Sequence, residues 1–358
     1  MSPSRDELQK TARTTLSGIK DPRAAAGLVA AGAAATAGIG LRRFRTKDGA
    51  SFESDAYRLL PGEPAGPGVR RILAAQVDDA ITQLRSEAGS EPADAVHEAR
   101  KDIKKIRSAL RLVRDDLGDK PWRRENDHYR EVARGLSGFR DAEILVEALD
   151  DLTERFAQDE HRFDALREQL EKENRAAHDD GSLEAAMVQA SAGLAAGRSR
   201  IEGLPLEADC WELIASGLHR TYRRGRKRLR TVEEEATVAN LHELRKRVKD
   251  LWYQLRLIRD ADEQVLGALA DHAHDLSDHL GDDHDLALLH ETVQRRRAAF
   301  PDEADKRHLL ELIDQRRGEL QFAAISLAQR TYDEKPKRFT KRISKCWEAW
   351  REREPVAS

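Results

Sequence analysis

One stretch of this chain occurs twice. Residues 96–115 read VHEARKDIKKIRSALRLVRD, and residues 241–260 read LHELRKRVKDLWYQLRLIRD. Laid over each other 145 residues apart, ten of the twenty pairs are identical. They are His97/His242, Glu98/Glu243, Arg100/Arg245, Lys101/Lys246, Lys104/Lys249, Leu110/Leu255, Arg111/Arg256, Leu112/Leu257, Arg114/Arg259 and Asp115/Asp260. Repeated apolar residues alone would report a repeated helix. Identical His, Arg and Lys report a positive face kept in both copies, and the simplest cause is a polyanion that both halves grip.

Helical geometry sorts these residues. At about 100° per residue, Val96, Ala99, Ile103, Ile106, Leu110, Val113 and Leu117 fall on one stripe. Leu241, Leu244, Val248, Leu251, Leu255 and Ile258 form the matching stripe, which is the core side of an amphipathic helix. His97, Arg100, Lys104 and Arg111 gather on another flank with Lys101 beside them, and His242, Arg245, Lys249 and Arg256 do the same. A charged helix face ordinarily just meets water. A like-charged row also costs stability unless an anion neutralises it. The matched second copy favours a binding face, while His97 and His242 taken alone fit a structural hydrogen-bonding role equally well.

The rest of the chain bounds the fold. Charged residues make up 35% and aromatics 5%, and no stretch alternates in strand fashion, so long helices are expected. Each half offers the same parts in order. A leading helix near 69–87 or 210–231 precedes the His-Arg-Lys helix. LSGFRDAEILVEAL (136–149) or LGDDHDLALLHETV (280–293) follows, then a long charged helix near 151–177 or 303–332. Ser137-Gly138 and Gly281 predict a helix break, with Asp141 or Asp285 capping the restart. Residues 178–209 read as a linker. The expected architecture is all-α: two four-helix bundles related by a pseudo-two-fold, half 1 about 69–177 and half 2 about 210–350.

Residues 1–56 stand apart as a low-complexity Ala/Gly segment and linker. Within them, 24–41 holds no charge over 18 positions but is mostly Ala and Gly, so membrane contact is not expected. Cys210 and Cys346 are too few for a disulfide framework or zinc site and fit a reducing cytoplasm. No secretory signal is evident.

The His-x-x-Arg-Lys-x-x-Lys helix, an Arg-rich helix before it and the Leu-(Ser/Gly)-x-x-(Arg/His)-Asp segment after it resemble the CHAD domain, the histidine-containing α-helical domain. The resemblance covers roughly 57–350. It implies duplicated four-helix bundles whose basic side chains line a shared central groove or pore that binds inorganic polyphosphate. It also implies association with polyphosphate granules and their proteins. Some relatives carry a triphosphate-tunnel domain with a Glu-x-Glu-x-Lys signature; none is seen here, so a stand-alone member is expected. The implied binding residues are His97, Arg100, Lys101, Lys104 and Arg111, with His242, Arg245, Lys246, Lys249 and Arg256. Arg140 and His284 join them from the Leu-x-x-x-(Arg/His)-Asp match.

One element departs from the duplication. HRTYRRGRKRLR at 219–230 holds seven Arg or Lys and no acid, and Arg220, Arg223, Arg224 and Lys227 share a helix face. Their counterparts are Ala75, Asp78, Asp79 and Thr82, so the C-terminal half is expected to hold more of the ligand.

Two rival functions are open to the same residues. Single-stranded RNA binding would need aromatic stacking platforms, and the basic helices offer only Tyr222, Trp252 and Tyr253. A metal-dependent phosphohydrolase would draw on the five His and five Asp of 272–290, but the first half does not repeat them. No Gly-rich phosphate loop or nucleophile elbow is present. The expectation is a cytoplasmic binding module with no catalytic residue, metal or cofactor.

Overall fold

A computed structural model describes residues 57–85, 92–138, 141–157, 161–178, 181–296, 300 and 302–353. The expectations for 1–56 and for Arg140 lie outside the described residues. Among those residues the chain is helical and no strand occurs.

Among the described residues, seven α-helices precede residue 210: α1 (Ala65–Arg85), α2 (Pro92–Leu112), the single turn α3 (Arg114–Leu117), α4 (Asp119–Gly135), α5 (Asp141–Arg155), α6 (Asp164–His178) and α7 (Ser182–Glu202). Five follow: α8 (Glu212–Glu234), α9 (Val238–Leu257), α10 (Ala268–Arg295), α11 (Glu303–Thr331) and α12 (Pro336–Arg353). A 3-10 turn and a π-turn (Glu263–Gly267) join α9 to α10. The repeated segment is thus α2 in one copy and α9 in the other. Thr237 caps α9 by accepting a hydrogen bond from the Asn240 N–H, and Asp302 caps α11 through the Ala304 N–H.

Both core stripes behave as their spacing predicts. Every member of the α2 stripe from Val96 to Leu117 is buried, and so is every member of the α9 stripe from Leu241 to Ile258. They join one large core with α1, α7, α8 and α12. A second core is built differently. Leu149, Leu152, Leu166 and Leu170 of α5 and α6 interleave with Leu286, Leu289, Leu309 and Ile313 of α10 and α11. Helices from before and after residue 210 share that core.

Two local expectations are corrected. Gly281 does not break its helix, because α10 runs unbroken from Ala268 to Arg295, and Asp285 lies inside it. Gly281 is buried beneath the Arg245 guanidinium, where a Cβ would come within 3.1 Å of Nη2, so the glycine serves close packing of α9 on α10. The break occurs only in the first copy, between α4 and α5. Residues 178–209 are not merely a linker. They contain α7, whose Leu183, Ala190, Leu194 and Ile201 are buried in the large core, chiefly against α1 and α4. An Ala-rich sequence with few large apolar residues conceals that face from a periodicity reading.

Candidate functional site

The two copies of the repeat touch. Ser108 of α2 donates to the Asp250 carbonyl of α9 at 3.0 Å, and Gln254 donates back to the Ser108 carbonyl at 3.3 Å. Beside this crossing, Arg111 donates to one oxygen of the Asp250 carboxylate at 2.8 Å, and Arg247 donates to the other at 3.1 Å. Asp250 is buried.

More guanidiniums surround that carboxylate. Arg107, one turn before Arg111, donates to Asn126 of α4 at 3.4 Å. Burial, then the adjacent Arg111 charge, brings its pKa down to about 10. Arg224 of α8 is held below its ordinary pKa by desolvation and by the charges of Arg247, Arg220 and Arg114. Arg220 pairs with Asp115 at 2.6 Å, and Arg114 pairs with Asp119 at 2.8 Å while lying 4.1 Å over the Trp122 ring. Arg111 and Arg247 thus bond Asp250, and Arg107 and Arg224 lie within its electrostatic reach, so one carboxylate faces several guanidiniums. Like charges at about 8 Å cost on the order of 2 kcal/mol per pair at an effective dielectric near 20. The arrangement therefore suits an added anion that presents several phosphate-like oxygens.

A second group gathers around Tyr57 and Trp252. Lys105 and Arg256 each sit 5.7 Å over the Tyr57 ring. Arg256 also lies 5.2 Å over Trp252, with Lys249 at 5.9 Å. The third group is at the start of α9. The His242 and His284 rings have centroids 4.5 Å apart. Burial first, then the charges of His284, Lys246 and Arg245, bring the His242 pKa from 6.5 to about 4. Buried Nδ1 of His242 and Nε of Arg245 have no hydrogen-bond partner among the described residues. Lys246 forms an ion pair with Glu243.

The expected residues are therefore spread over three clusters. Arg111 bonds Asp250 and Arg224 interacts with it electrostatically, Arg220 pairs instead with Asp115, and Arg223 and Lys227 lie exposed on the same helix. Lys249 and Arg256 flank Trp252, and His242, Arg245, Lys246 and His284 form the third cluster. On α2, Lys104 is exposed, His97 and Arg100 are half-buried, and Lys101 is buried and paired with Glu98 at 3.0 Å. Buried Lys101 is thus engaged by its own helix.

Arg107, Arg247, Asp250 and Lys105 were missed. Arg107 continues the 100, 104, 111 flank and was legible from helical spacing. Its counterpart in the second copy is Trp252, so it does not stand out as a repeated charge. The counterpart of Arg247 is Asp102 and that of Asp250 is Lys105. The i,i+3 pair Asp102–Lys105 (2.8 Å) therefore recurs as Arg247–Asp250 (3.1 Å) with its charges exchanged.

The histidines of 272–290 diverge. His274 faces Asp278 at 2.8 Å, His284 faces His242, and His290 lies 3.6 Å from Asp314. Among the described residues no three His, Cys, Asp or Glu converge as metal ligands. None of the described helices is long and apolar enough to cross a membrane.

No curated protein is similar enough to this chain to count as a relative. Among solved structures, the crystal structure of the CHAD domain from the plant Ricinus communis is similar at 16% identity with a TM-score of 0.48, covering 78% of this chain and 96% of that one. The CHAD domain model matches residues 71–294, which takes in α2, α8, α9 and nearly all of α10. That match covers more than half of the sequence and contains all three clusters of basic residues, and the chain belongs to the CHAD domain family.

Proposed function

We propose that the chain binds inorganic polyphosphate, without catalysing its turnover, and that it directs itself or a partner to cytoplasmic polyphosphate granules. The observation that carries this reading is the excess of arginine around one buried carboxylate where α2, α8 and α9 meet. Polyphosphate presents about one charge per phosphate and no bases. A site made of guanidiniums without a base-reading pocket matches it. Binding through such a site releases counterions and weakens steeply with salt, by analogy with nucleic acids.

The aromatic residues argue against single-stranded RNA. Tyr222, Trp252 and Tyr253 are all buried, with exposures of 1%, 4% and 2%, so they offer bases no platform. Among the described residues the histidines of 272–290 diverge rather than converge on one point.

The deciding experiment titrates the protein with long-chain polyphosphate and with single-stranded RNA of equal charge, at low and physiological salt. The double variant Lys249→Glu/Arg256→Glu is run in parallel. The expected result is tight, salt-sensitive binding that prefers polyphosphate and collapses in the variant. Equal or stronger RNA binding would replace this reading with a nucleic-acid function. Binding to neither would leave the basic rows as solvated faces.

A further inference from the structure

We propose that Asp250 is a resident stand-in for a ligand phosphate, an internal counter-anion that polyphosphate must displace and that sets the affinity of the arginine cluster. The inference rests on the polyphosphate reading and adds a competitor built into the site.

Three observations support it. First, the carboxylate does what a bound phosphate would do. It accepts from guanidiniums of both repeat copies, Arg111 at 2.8 Å and Arg247 at 3.1 Å. Second, its charge is shared beyond its two bonded partners, since Arg107 and Arg224 also interact electrostatically with Asp250. A single carboxylate holds the guanidiniums in place without saturating them. Third, the charge is particular to this copy. The equivalent position on α2 is Lys105, and the residue three before it is Asp102 where α9 has Arg247. No matching carboxylate occupies the equivalent α2 position.

The energetic consequence has a definite sign. Arg111 and Arg247 must release Asp250, or share it, to grip a phosphate fully. The incoming anion is also repelled by the carboxylate. Removing that negative charge frees two guanidiniums for the ligand and destabilises the empty state. Both effects strengthen binding.

The test uses the full chain and long-chain polyphosphate. Asp250→Asn is compared with wild type and with Asp305→Asn, a carboxylate that pairs with Arg162 and changes net charge equally. Asp250→Asn is expected to bind three- to tenfold more tightly at low salt. It should also show a larger rise in Tm on adding polyphosphate and a salt slope steeper by about one counterion. Asp305→Asn should match wild type. A folded Asp250→Asn that binds equally or more weakly overturns the proposal, making Asp250 only a scaffold for the arginines. If Asp250→Asn does not fold, Arg247→Gln/Asp250→Asn is compared with Arg247→Gln alone. Tighter binding by the double variant supports the proposal, and no gain overturns it. Wild type that binds no polyphosphate at either salt overturns the functional reading itself. A binding wild type with an unimproved Asp250→Asn overturns only the role of Asp250.

Discussion

The imidazoles of His242 and His284 lie 4.5 Å apart, one on each of two packed helices, beside Arg245 and Lys246. The His242 ring does not gain from being charged in this setting. Burial first, then His284 and the two cations, brings the His242 pKa to about 4, against only Glu243 in its favour. A polyanion at this place reverses the balance and favours the protonated ring.

Binding should therefore take up a proton. As pH falls from about 7 toward about 4, polyphosphate affinity is expected to rise, by up to tenfold for each unit that the ligand raises the His242 pKa. Long chains keep the ligand's own charge nearly constant over this range. The empty protein should behave oppositely. A base whose folded pKa is depressed loses stability as pH falls from its ordinary 6.5 to about 4, because the unfolded chain takes the proton first. Melting curves and calorimetric titrations in buffers of different ionisation enthalpy measure both effects. In His242→Gln both slopes should flatten, and an unchanged pH dependence would remove His242 from the site.

Gly217 of α8 packs against the Leu112 carbonyl at the end of α2 so tightly that a Cβ would overlap it. The glycine holds α8 against the helix that carries Arg107 and Arg111. Gly217→Ala is expected to cost about 1–3 kcal/mol through overpacking, and to weaken polyphosphate binding by moving α8 away from Asp250. Gly318→Ala on α11, where a Cβ meets nothing within 4 Å, should leave both properties intact or raise stability slightly. Thermal melts of the two variants decide the matter.

The repeat made much of this arrangement legible. Identity between copies located α2 and α9, their core stripes and most of the basic residues, because packing and charge were kept at one offset. The same criterion hid the residues at the centre. Arg107, Arg247 and Asp250 differ from their counterparts, so a search for sameness discards them. The i,i+3 pairs make the point: Asp102–Lys105 and Arg247–Asp250 preserve the interaction while exchanging the charges. Where the copies cross, one helix can reuse the other's geometry but the contact itself need not be symmetric. The helix α7 was hidden for a different reason, since a helix of Ala and Gly can bury its face without displaying strong periodicity.

The basic row on α8 has no equivalent on α1, where Asp78 instead pairs with Arg198 at 2.9 Å. Arg223 and Arg224 are exposed, so reversing their charge should not disturb the fold. Arg223→Glu/Arg224→Glu is expected to lower polyphosphate affinity at least tenfold at physiological salt and to reduce the salt slope by about two. Lys104→Glu, at an exposed position of the first copy, should cost about threefold at most. Equal losses from the two variants would restore a symmetric grip.

Trp252 gives the second copy an optical reporter. Arg256 lies 5.2 Å and Lys249 5.9 Å over its ring, and the indole is buried beneath them. A cation over an aromatic face contributes about 0.5–2 kcal/mol, so a polyphosphate that draws both cations to itself alters the field at the indole. Adding polyphosphate should shift the tryptophan emission of wild type, with a midpoint equal to that of the binding isotherm. Trp252→Phe should remove the part of the shift that Lys249 and Arg256 cause while retaining binding, leaving any contribution from Trp122 beneath Arg114. A full shift in Trp252→Phe would place the ligand elsewhere on the chain, and retained binding without any shift in wild type would exclude the Lys249–Arg256 side from the grip.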